Sequence, residues 1–179
     1  EAKVIAHAKK VKVGDPLDPT VKVGAIINKN QFDKIMNYIE SGIAQGAKVT
    51  LGGKALESDC GAFIEPTIFS DVTPEMDIAS EEIFGPVVTI MPFNDENEVV
   101  AMANDVSYGL SATLWTNDLK RTMRVSKQIQ AGIVWVNTWL LRDLRTPFGG
   151  VKNSGVGREG GFEALRFFTE PKNICIKYN

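Results

Sequence analysis

The stretch "GLSATLWTNDLKRTMRVSKQIQAGIVWVN", residues 109–137, decides the fold. Its first eight residues read as a strand. Residues 117–132 follow as a helix ended by Gly132, and "IVWVN" reads as a second strand. Working outward, "NDENEVVAMAND" (94–105) is a second helix, opened by Asp95 with Glu98 three residues on, a capping pattern. Before it, "GPVVTIMPF" (85–93) is a continuous apolar run rich in β-branched residues, which predicts a buried strand. The order strand-helix-strand-helix-strand predicts an α/β fold: a mostly parallel sheet with flanking helices, joined by right-handed crossovers.

The rest of the chain extends this alternation. "EAKVIAHAKKVK" (1–12) reads as a helix, followed by a "VGDPLDP" turn region. In "NQFDKIMNYIESGIAQG" (30–46), Phe32, Ile35, Met36, Ile39 and Ile43 recur at helical spacing and predict an amphipathic helix. "AKVTLGG" (47–53) is a short strand. "AFIEPTIF" (62–69) is extended, and Pro66 within it predicts an edge or irregular strand. The tail "EPKNICIKYN" (170–179) alternates Ile174 and Ile176 with polar neighbours and reads as a last strand, paired outside the main sheet.

At 179 residues the chain is long enough for a sizeable core. A net charge of -2 argues against a nucleic-acid or membrane-surface partner, either of which favours a basic field. No apolar run reaches the roughly 20 residues of a membrane span. Cys60 and Cys175 form no disulfide framework and fit a reducing, cytoplasmic setting. His7, the single histidine, excludes a histidine-rich metal site and reads as an exposed helix residue.

Two features invite a ligand. Gly155, Gly157 and Gly160 spell G-x-G-x-x-G, but they follow another glycine-rich loop instead of a strand. They read as a tight turn before the short helix "GGFEALRFF", not as a dinucleotide-binding fingerprint. "NTWLLRDLRTPFGG" (137–150) lies beyond the end of "IVWVN", where ligands gather in parallel sheets. It places Arg142 and Arg145 among Trp139, Leu140, Leu141, Leu144 and Phe148. The two charges either make surface salt bridges or meet an anion.

Three segments, "EEIFGPV" (81–87), "ANDVSYGLSATLWTND" (103–118) and "NTWLLRDLRTPFGGVKNSGVGREGG" (137–161), together resemble the C-terminal part of the aldehyde dehydrogenase superfamily, in order and spacing along essentially the whole chain. The resemblance implies a catalytic-domain portion over residues 1–168 and a C-terminal oligomerisation strand over 169–179, and hence a homo-oligomer. It also implies that the cofactor domain, the nucleophilic cysteine and the general-base glutamate lie before this stretch of the family. Neither Cys60 nor Cys175 has the nucleophile's context, so this segment alone is expected to be inactive.

The chemistry so implied is NAD-dependent. A thiolate attacks the aldehyde, hydride leaves the thiohemiacetal for the nicotinamide, and activated water hydrolyses the thioester. By motif match, Glu82 accepts hydrogen bonds from the nicotinamide ribose and Phe84 packs near the nicotinamide. The loop 137–150 lines the aldehyde entry tunnel, and it resembles the muconic semialdehyde dehydrogenases, whose substrates carry a carboxylate opposite the aldehyde. Arg142 is therefore the first candidate for a carboxylate anchor and Arg145 the second. Two other readings stay open: a dehydrogenase of an uncharged aldehyde, and a non-catalytic module of the same fold.

Overall fold

A computed structural model describes residues 1–58 and 61–178. Cys60 lies outside the described residues. The chain divides into two compact units, Glu1–Asn94 and Asp95–Asn179.

The first unit opens with helix α1 (Ala2–Ala8), shorter than the expected twelve residues, with His7 exposed on it. Helix α2 (Lys29–Ala44) begins where the Asn28 side chain accepts the Gln31 N–H at 2.8 Å. Ile35 and Ile39 are fully buried, as their spacing requires, but Ile43 is exposed and Gly42 is buried in its place. After seven residues the 3.6-residue repeat brings position 42 to the seam. There a Cβ would come within 2.8 Å of Ile78.

Strands β1 (Lys48–Leu51), β4 (Thr67–Ser70) and β5 (Val87–Thr89) form one sheet in the order β1-β4-β5, and β2 (Ala55–Leu56) pairs with β3 (Phe63–Ile64). Pro66 does interrupt the extended segment, separating β3 from β4. The second half is nevertheless central and wholly buried, contrary to the edge expectation. Proline sits one residue ahead of the ladder, so the first N–H the sheet requires is that of Thr67, which reaches Pro86 O at 2.8 Å. In β5, Val87 packs on the core while Val88 is 51% exposed, so this run is buried on one face only. The core gathers Ile35, Ile39, Ile64, Phe69, Ile78 and Ile83.

In the second unit, helix α4 (Glu96–Asn104) starts at Asp95, whose carboxylate accepts the N–H groups of Asn97 and Glu98 as the capping pattern predicts. Residues 109–116 divide between β6 (Tyr108–Gly109) and β7 (Ser111–Leu114). Helix α5 (Leu119–Gln128) then leads to β8 (Ile133–Val136), which lies parallel to β7. This is the strand-helix-strand unit read from residues 109–137. β9 (Val151–Lys152) pairs antiparallel with β6, and α6 (Gly161–Phe168) follows.

The α/β class holds, with a mixed pairing in place of a mostly parallel one. β4–β5 and β7–β8 are parallel, while β1–β4, β2–β3 and β6–β9 are antiparallel. The reason lies in the connections. A parallel pair needs a crossover, as α5 supplies, whereas β1 returns to β4 through a strand pair with no helix between. Residues 170–178 are exposed and enter no ladder among the described residues. No helix among the described residues is long and apolar enough to cross a membrane.

Candidate functional site

The first candidate segment joins helix α3 (Asp77–Ser80) to β5. Asp77 N–H donates to Gln45 Oε1 at 2.9 Å and the Gln45 amide donates back to the Asp77 carboxylate at 2.6 Å, which pins α3 to the end of α2. Ile83 enters the core. Gln31 Nε2 donates to the carbonyls of Ile83 and Phe84 at 3.0 and 3.2 Å. At Gly85 the chain passes so close to α2 that a Cβ would stand 2.7 Å from Ile35. These fixed points leave Glu82 and Phe84 exposed on either side of buried Ile83. Phe84 holds φ +58 and remains 75% exposed. A non-glycine residue in the left-handed region costs about 1–3 kcal/mol and marks a site over-determined by its surroundings.

The second segment leaves β8. Asn137 exchanges two 2.8 Å hydrogen bonds with the Thr116 backbone, donating from Nδ2 to Thr116 O and accepting Thr116 N–H on Oδ1. The ends of β7 and β8 are thereby tied. Trp135 is buried, and its indole N–H donates to Leu141 O at 2.9 Å. Asp143 builds a turn: its carboxylate accepts the Arg145 N–H at 2.9 Å and its carbonyl accepts from Thr146. Phe148 and Glu159 exchange backbone N–H···O bonds at 2.8 and 2.7 Å. Behind them Gly160, at φ +89, lies against Thr146 O so tightly that no Cβ would fit. Of the other two G-x-G-x-x-G glycines, Gly157 lies against the Phe167 ring, while Gly155 turns the chain at φ +137 with nothing packed on it.

The two arginines differ sharply. Arg145 is 89% exposed in its side chain and grips Asp143 at two points, with Nε 2.9 and 3.1 Å from the two carboxylate oxygens. Arg142 is 36% exposed in its side chain. Its guanidinium lies 4.1 Å from the centre of the Phe148 ring, and Nη2 stands 3.4 Å from Glu159 Oε1. Around them Trp139, Leu140, Leu141 and Leu144 are exposed.

The Arg145 side chain, and then its backbone N–H, hold the Asp143 carboxyl below its usual range against the opposing effect of burial. A depressed carboxyl stabilises the folded turn at pH above its ordinary value of about 3.9. That contribution is lost as pH falls through the lowered value. The expected NMR titration of the Asp143 carboxyl carbon has its midpoint below 3.9, and Arg145→Ala returns it toward that value. An unshifted midpoint in the parent chain would contradict the assignment.

Residues 1–174 match the model of the Aldehyde dehydrogenase family. The chain belongs to that family. It is 44% identical over 180 residues to a 2-hydroxymuconic semialdehyde dehydrogenase of Pseudomonas putida, covering 98% of this chain and 37% of the relative. It is 46% identical over 178 residues to a betaine aldehyde dehydrogenase of Brucella anthropi, with the same coverage, and 43% identical over 180 residues to a 2-aminomuconic semialdehyde dehydrogenase of Mus musculus, covering 97% and 37%. The chain therefore spans little more than a third of these relatives. A Mycobacterium tuberculosis aldehyde dehydrogenase complexed with NAD+ superposes with a TM-score of 0.90 at 43% identity, over 94% of this chain and 35% of that one.

In this member of the family the Glu82–Phe84 segment presents two exposed side chains of different chemistry. Glu82 offers an exposed carboxylate, which only accepts hydrogen bonds, and Phe84 an exposed apolar face, both on a backbone held from behind. Cys175 is exposed in the tail. Phe148 and Glu159 gain their place here from geometry that the sequence concealed: seventeen residues separate Glu159 from Arg142, with no periodicity linking them.

Proposed function

We propose that the chain is the C-terminal part of an NAD-dependent aldehyde dehydrogenase that oxidises a carboxylate-bearing semialdehyde, of muconic semialdehyde type, to the acid. The observation that carries the reading is Arg142: a guanidinium just past β8, held on an aromatic face and partly open. Its planar fork suits a carboxylate in two-point contact. Arg145, already chelated by Asp143, is the secondary contact. The substrate panel that tests this compares carboxylated and uncharged aldehydes, read by NADH absorbance, in the whole enzyme and its Arg142→Ala variant. Equal losses on both would sink the anchor.

The nicotinamide supplies the hydride acceptor when bound. Glu82 accepts hydrogen bonds from its ribose hydroxyls and Phe84 packs beside the ring. Glu82→Gln is expected to raise the KM for NAD about tenfold, the cost of weakening a charge-assisted hydrogen bond, with either class of aldehyde. An unchanged KM would remove Glu82 from the cofactor's contacts. The tail, with Ile174 and Ile176 exposed, adds a strand to a neighbouring subunit of a homo-oligomer.

A second reading, an uncharged or betaine-type aldehyde, draws on the carboxylate partner each arginine already has. It is the weaker one. A quaternary ammonium seeks aromatic faces, but the Phe148 face is covered by the Arg142 cation, and the exposed Trp139 stands in a loop whose two arginines repel a cation.

A further inference from the structure

An anchor for a substrate carboxylate should not need a carboxylate of its own, yet Glu159 stands beside Arg142. We propose that Phe148 and Glu159 form a clamp that positions Arg142: the ring sets the plane of the guanidinium, and Glu159 is a resting counter-ion that an anionic ligand displaces. The proposal rests on the reading of Arg142 as the carboxylate anchor.

Three observations carry it. First, the clamp is set by backbone. Phe148 and Glu159 are bridge partners through reciprocal N–H···O bonds, and Gly160 lies against the Thr146 carbonyl behind them, so ring and carboxylate arrive together. Second, the guanidinium carbon sits over the ring at 4.1 Å, well inside cation–π range, and the side chain keeps 36% of its surface exposed. Third, the ion pair is loose. Its 3.4 Å separation exceeds the roughly 2.7–2.9 Å of a full charge-assisted bond. The neighbouring Arg145–Asp143 pair, by contrast, is closed at two points across two residues. A loose counter-ion lowers the cost of holding a half-covered cation between turnovers and still yields to a better-placed carboxylate. An uncharged aldehyde gains nothing by displacing it, so the clamp sharpens selection for anions.

The test uses the whole enzyme with adipate as a competitive inhibitor, and compares 6-oxohexanoate with hexanal as substrates. Removing the competing charge in Glu159→Gln is expected to tighten the Ki of adipate up to about fivefold, the scale of a partly exposed ion pair. The KM for 6-oxohexanoate should fall with it while that for hexanal stays put. Phe148→Leu is expected to weaken adipate about threefold to thirtyfold through the lost cation–π contact, and Phe148→Tyr to restore it. A merely structural role predicts the opposite pattern, with both variants raising KM for the two aldehydes alike, and that result would overturn the clamp. Arg142→Ala separates the two ideas. If it penalises only 6-oxohexanoate while the clamp variants do not discriminate, the clamp alone falls. If it does not discriminate, the anchor falls and the clamp with it.

Discussion

Arg142→Ala in the whole enzyme is expected to lower kcat/KM for a carboxylated aldehyde about a hundredfold, the loss of roughly 2–3 kcal/mol from a charge-assisted pair in a half-covered site. The physical argument is asymmetric. A substrate carboxylate brought beside exposed Trp139, Leu140 and Leu141 gives up water, and without Arg142 nothing replaces it. Hexanal loses no such partner, so its kcat/KM should stay within about threefold, the scatter of ordinary surface substitutions. Arg145→Ala should have a smaller effect, because its guanidinium is already engaged by Asp143. A hundredfold loss for hexanal as well would mean that the substitution damaged the loop and not the recognition.

Phe69→Ala is expected to destabilise the Glu1–Asn94 unit by about 3–5 kcal/mol, the cost of a large core truncation. Phe69 is fully buried in the central strand β4, paired with Val49 on one side and Thr89 on the other. Its ring approaches α2 at Gly42, and its carbonyl accepts Ile90 N–H at 2.9 Å. No adjacent group can collapse into the space without moving a strand or a helix. Val88→Ala, one strand over on the exposed face, should cost no more than about 0.5 kcal/mol. Urea unfolding followed by circular dichroism reads both. Similar midpoints for the two variants would show that β4 is not the unit's keystone.

Much of this was legible in the residues. The strand-helix-strand of 109–137, the capping Asp95 and the core stripe of α2 follow from local periodicity, because each depends on neighbours within a few positions. What was hidden depends on distant partners. The central place of β4 could not be read past Pro66, since whether a missing N–H matters is set by which strand lies alongside. The buried Gly42, in place of Ile43, reflects the approach of Ile78. Motif matching singled out Glu82, Phe84, Arg142 and Arg145, and all four side chains reach solvent. Asp143, adjacent to both arginines, could orient either, but no local signal told which one it would take or that the other would lie on Phe148 beside Glu159. That difference depends on a turn and a glycine-backed bridge that have no periodic signature.

The indole of Trp135 holds the loop through the Leu141 carbonyl, a group that every amino acid possesses. The bond is therefore blind to side-chain identity. A substitution at Leu141 or Arg142 leaves this tether between the loop and β8 in place, while the Asp143 turn beyond it does depend on its side chains. The side chain at position 142 can thus change while the backbone that carries it stays attached to the sheet.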